Sequence, residues 1–131
     1  MKYIHLGPWP GYLGVTTSPA TLKRELTRLK VKESVPFLTG SSDASTHVFE
    51  RPDGQPLWII TASASRLARS TGATIAALMA HEAVHVMHDL QRQYAQGKSL
   101  GEEADAYLVQ YIAVSATDIV WKELVRQKRK V

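Results

Sequence analysis

The sequence predicts an α+β fold in one domain spanning residues 1–131, and three observations predict it. Apolar residues recur at helical spacing near the start and through much of the second half of the chain. Two runs rich in β-branched and aromatic residues flank Pro52-Asp53-Gly54. No segment repeats, and no low-complexity linker divides the 131 residues. With 44% hydrophobic and 21% charged residues, a chain of this length builds one core without disulfides.

Taken in order, residues 1–17 are dense in Gly, Pro and aromatics, including Trp9 and Tyr12, and read as an irregular arm packed on the domain. Ser18-Pro19 reads as a helix start, with Ser at the N-cap and Pro at the first helical position. Leu22, Leu26 and Leu29 then share one face, so 19–30 is expected to be a short amphipathic helix. Thr46–Arg51 and Pro56–Ala62 are expected to pair as a β-hairpin, because Pro presets φ in the turn and Gly supplies a positive φ. Ser63–Thr71 is a polar connection with some helical character. A long helix follows at about 73–94 and closes near Gly97. Ser99-Leu100-Gly101-Glu102 has the S-x-x-E form of a capping box and opens a last helix running to about 126. Apolar residues spread around much of that helix, which predicts a central position.

The chain has no cysteine, so any metal site must draw on His, Asp or Glu. It opens without the apolar core of a signal peptide, and its apolar runs are too short to cross a bilayer. A soluble, cytoplasmic protein with no membrane contact is expected. The net charge of +4 comes largely from Lys122 and the terminal cluster Arg126, Lys128, Arg129 and Lys130, a pattern that suits a solvated helix end.

One stretch inside the predicted long helix carries chemistry. His81-Glu82-Ala83-Val84-His85 has the form H-E-x-x-H. Histidines four residues apart lie about 40° apart around a helix, so both imidazoles can reach one metal ion. Glu82 projects beside that face, where it can take a proton from an attacking water. Ile75, Leu78, Met79 and Val86 supply the apolar stripe that buries such a helix. The pattern predicts one Zn²⁺ per chain, bound by His81 and His85, with Glu82 as general base.

A hydrolytic zinc site takes three protein ligands and leaves a fourth position open. Glu102, Glu103, Asp105, His88, Asp89, His47 and His5 are the candidates. The capping box would occupy Glu102, which leaves Glu103 free to meet the metal once the chain turns back antiparallel. His88 shares the face of His81 and His85, but three ligands in line along a rod surround a tetrahedral ion poorly. Asp89 is read as a solvated neighbour of His85, with a hydrogen bond to a ligand imidazole as the alternative. Tyr107 and Tyr111 follow Glu103 on its side and are read as aromatic packing, with oxyanion stabilisation as the alternative.

The motif, followed by Glu103-Ala104-Asp105-Ala106-Tyr107-Leu108-Val109-Gln110, resembles small tailed-phage and prophage proteins regarded as zinc metallopeptidases. Tyr12-Leu13-Gly14-Val15, Pro36-Phe37-Leu38 and Asp43-Ala44-Ser45-Thr46-His47 are similar as well. The resemblance implies a minimal zincin-like domain with a gluzincin-like site: ligands His81, His85 and Glu103, and Glu82 as base. Position 88 is often Gln in such proteins, which counts against His88 as a ligand.

The expected function is therefore zinc-dependent hydrolysis of a peptide or protein substrate. One hairpin strand would present its edge to the substrate, with His47 a candidate to face the site. Two rivals belong to other classes: a metal-binding protein that grips a phage or host partner without cleaving it, and a nucleic-acid-associated protein using Arg66, Arg69 and the basic tail. Glu82 favours hydrolysis, since a purely structural metal site needs no base. Basic residues without interleaved aromatics disfavour nucleic acid. Oligomeric state is not legible at this level.

Overall fold

The structure, a computed structural model, describes residues 1–130. It is an α+β domain in which a four-stranded mixed sheet carries one helix on one face and a helical hairpin on the other. The strands are β1 (Lys2–Ile4), β2 (Tyr12–Thr16), β3 (Ala44–Glu50) and β4 (Pro56–Ala62). The helices are α1 (Pro19–Arg28), α2 (Ala64–Leu67), α3 (Gly72–Tyr94) and α4 (Glu102–Arg129). The order across the sheet is β1-β2-β4-β3, with β2 parallel to β4 and both outer strands antiparallel to their neighbours.

The hairpin of β3 and β4 forms as the turn chemistry requires. Gly54 sits at φ 82° and donates its N–H to the Arg51 carbonyl, and Arg51 N–H closes on Gln55. β4 is buried along its whole length, as a central strand covered on both faces must be. Leu57 and Ile59 face α1, where they meet Phe49, Leu22 and Leu26. Trp58, Ile60 and Ala62 face the helical hairpin, where they meet Ile75, Met79, Val86, Ile112, Ala116 and Val120.

The first strands correct the reading of 1–17 as an irregular arm. β1 and β2 extend the expected hairpin into a four-stranded mixed sheet. Gly7, Pro8, Pro10 and Gly11 belong to the link between two strands of 3 and 5 residues, too short to show a period of two. Gly11 enters β2 at φ 115°, and a Cβ there would stand 2.8 Å from the Trp58 ring.

α1 begins as predicted, with the Ser18 side chain accepting from Thr21 N–H and Pro19 at the first position. α3 is capped by Thr71, whose side chain accepts from Thr74 N–H. Its far end closes through Gln96 and Gly97, both at positive φ, with the Ala95 and Gly97 N–H groups on the Gln91 carbonyl.

The start of α4 overturns the capping box. The helix begins two residues later than S-x-x-E requires, after Gly101 at φ 114°, and no side chain caps it. Ser99 donates its hydroxyl to Asp105, and Asp105 also accepts the Leu100 N–H. The Ser99 hydroxyl, followed by the Leu100 amide, holds the Asp105 carboxyl below the usual carboxylate range. Asp105, not Glu102, therefore ties the helix to the turn before it. Asp105→Ala is expected to cost about 1 kcal/mol, read as a lower thermal midpoint, while Glu102→Ala changes it little. Equal effects from the two would restore the capping box.

α4 is not central either. Only Ile112, Ala116, Val120 and Leu124 are fully buried, a single stripe at four-residue spacing. Leu108, Val109, Ala113 and Ile119 are half-buried against the core, while Tyr107, Tyr111, Val114 and Trp121 are exposed. No helix of the described residues is long and apolar enough to cross a membrane.

Candidate metal centre

α3 lies with one face on the sheet and presents its outer face beside the edge strand β3. Their junction is a cleft of about 450 Å³ lined by Thr46 and Val48 from β3 and by His81, Glu82, His85, His88 and Arg92 from α3. The β-strand alternation places Thr46 and Val48 on this side and sends His47 and Phe49 to the other.

His81 and His85 are exposed, and their Nε2 atoms are 3.1 Å apart. Two N–H groups cannot point at each other at that distance, so the two nitrogens share either a proton or a cation. A tetrahedral zinc with Zn–N bonds of ~2.0–2.1 Å has ligand nitrogens about 3.3–3.4 Å apart. The pair thus has nearly the separation that chelation of one zinc requires.

Glu82 is only 4% exposed and lines the same cleft. Its Oε2 accepts a 2.6 Å hydrogen bond from the Thr46 hydroxyl, which fixes one oxygen of the carboxylate. Thr46 is a residue that sequence reasoning did not single out. Strand alternation shows which side it faces, but only the packing of β3 against α3 brings it to Glu82.

The remaining candidates disperse. Glu103 and Glu102 are exposed in the first turn of α4, and neither lines the cleft. Among the described residues, no three His, Asp or Glu side chains converge as a metal site. His88 lines the cleft but stands a turn beyond His85. His47 is buried on the far side of the sheet, where its Nε2 is 3.0 Å from the Phe37 carbonyl; a carbonyl only accepts, so that nitrogen carries the proton. His5 accepts the Gly7 N–H at 3.1 Å through Nδ1, in the β1–β2 link.

Asp89 departs from both of its expected roles. It is buried, and it accepts from the Trp58 indole at 2.7 Å, from Arg92 at 2.9 Å and from Gln93 at 2.6 Å. It anchors α3 to β4 one turn after His85, and no imidazole bonds to it. Tyr107 and Tyr111 form neither core nor cleft wall. Arg66 is committed to the loop before β3, donating to the Ser41 and Ser42 carbonyls at 3.1 and 2.8 Å. In the basic tail, Lys122 pairs with Asp118 and Arg126 with Glu123.

Comparison with family models, curated proteins and solved structures returns no match.

Proposed function

We propose that this chain is a minimal zinc-dependent peptidase, acting in the cytoplasm on a peptide or protein substrate, with a zincin-like arrangement of sheet and helix. One observation carries the reading: two imidazole nitrogens 3.1 Å apart share a cleft with a buried glutamate. A zinc held there supplies a Lewis acid for the scissile carbonyl. His81 and His85 hold it. Glu82 takes the proton of the attacking water and delivers it to the leaving amine. Thr46 keeps one Glu82 oxygen engaged, so the other is the one presented to the cleft. β3, an edge strand next to both groups, offers main-chain hydrogen bonds to an extended substrate.

Glu103 is the proposed third ligand. Among the described residues its side chain makes no ion pair or hydrogen bond, whereas Asp105 is taken up by Ser99 and Leu100. The capping argument no longer separates Glu103 from Glu102, and the sequence resemblance alone selects it.

The test is metal content and affinity. Purified protein is expected to hold close to one zinc per chain, and His81→Ala or His85→Ala to lose it. Glu103→Gln is expected to weaken zinc by at least about tenfold, with Glu102→Gln and Asp105→Asn near wild type. Zinc that is absent, or indifferent to both histidines, sinks the site. Zinc indifferent to Glu103 removes only the third ligand.

A further inference from the structure

α4 carries two apolar stripes, and the fold uses one. Opposite the buried Ile112, Ala116, Val120 and Leu124, it exposes Tyr107 (65%), Tyr111 (48%), Val114 (64%) and Trp121 (42%). With Asp118 and the half-buried Val125, these positions advance by alternate steps of four and three residues. That is the spacing of a seam between two helices, not of a solvated face. Beside the seam, Ala76, Ala113, Thr117 and Trp121 line a shallow groove between α3 and α4. Exposed apolar stripes of this length on small proteins mark interaction surfaces.

The charges say which partner fits. The first turn of α4 holds Glu102, Glu103 and Asp105, and the last turn holds Arg126, Lys128 and Arg129. A helix that is acidic at its start, apolar in its middle and basic at its end is complementary to itself run antiparallel. Parallel pairing would set like charges together. Antiparallel pairing also opposes the two helix dipoles.

We propose that the chain forms a two-fold dimer through the outer face of α4, with Val114 at the axis. Tyr107 then faces Trp121 of the second copy, and Tyr111 brings its hydroxyl beside the second copy's Asp118. The surface is isologous, so the same patch serves both subunits and the assembly closes at two. The seam residues Tyr107, Tyr111, Val114 and Trp121 lie outside the candidate metal cleft, and Glu103 is the one charge shared with the proposed zinc site.

The test uses the full chain. Sedimentation equilibrium is expected to give the dimer mass at tens of micromolar, and Val114→Glu to weaken association by at least about 100-fold. Val114 is exposed, so that variant should keep the wild-type circular dichroism and melting cooperativity. The absence of native cysteine allows a geometric test. Val114→Cys should oxidise to a disulfide-linked dimer by itself. Gln110→Cys and Asp118→Cys should stay unlinked alone and cross-link when mixed. A wild-type monomer at 100 micromolar, as an assay concentration of about that order, overturns the dimer. So does a Val114→Glu protein that associates like wild type. Gln110→Cys linking to itself as readily as the mixture overturns the antiparallel arrangement.

Discussion

Glu82→Gln is expected to keep its zinc and to lose peptide hydrolysis by about 10²–10⁴-fold. Glutamine has the shape of glutamate and retains an oxygen that can accept the Thr46 hydroxyl, so the contact of α3 with β3 survives the exchange. What it lacks is the capacity to take a proton. Because Glu82 is buried and neither imidazole depends on it for a hydrogen bond, metal content should not follow activity down. The measurement is a proteome-wide search for new termini after incubation with wild type or with the variant. Equal cleavage by both proteins would remove Glu82 from the mechanism. Stoichiometric zinc with no cleavage by wild type would instead favour a metal-binding interaction protein.

The largest loss of stability at a single polar side chain is expected from Asp89→Ala, at about 2–4 kcal/mol. Trp58 is fully buried in the core between sheet and helices, and its indole N–H has Asp89 as its partner. Alanine would leave that donor unpaired in an apolar setting and release Arg92 and Gln93 as well. For a chain of this size the thermal midpoint should fall by several degrees, roughly 3–5 °C per kcal/mol. Trp58→Phe removes the donor along with part of the ring. A double-mutant cycle of the two should therefore show coupling of at least about 1 kcal/mol. Additive losses would mean that the 2.7 Å contact contributes nothing. The same bond holds α3 in register against β4, and with it the histidines against Thr46.

Where local chemistry decides, the reading from residues holds. Ser18-Pro19 starts α1, Pro52-Asp53-Gly54 turns the hairpin, β4 occupies Pro56–Ala62, and a helix free of internal proline carries the motif. Where several local solutions compete, it does not. Ser99 had Glu102 and Asp105 within reach, and the positive φ at Gly101 delayed the helix enough to select Asp105. Asp89 looked like one more charge on a helical face. Its burial depends on a tryptophan thirty-one positions earlier, which no periodicity can report. Tyr107 and Tyr111 looked like core because aromatics usually are, yet α4 already fills its buried stripe with Ile112, Ala116 and Val120.

By itself the sequence determined α1, the β3–β4 hairpin, the motif helix, the α+β class, and the pairing of His81 with His85 on one helical turn, because periodicity, turn residues and i,i+4 spacing act within a few residues. Tertiary structure alone decided the mixed sheet, the Thr46–Glu82 contact, the Trp58–Asp89 anchor and the exposed position of Glu103. Each of those joins segments distant in the chain, and their meeting is set by which apolar faces the domain can bury at once rather than by any residue's own preference.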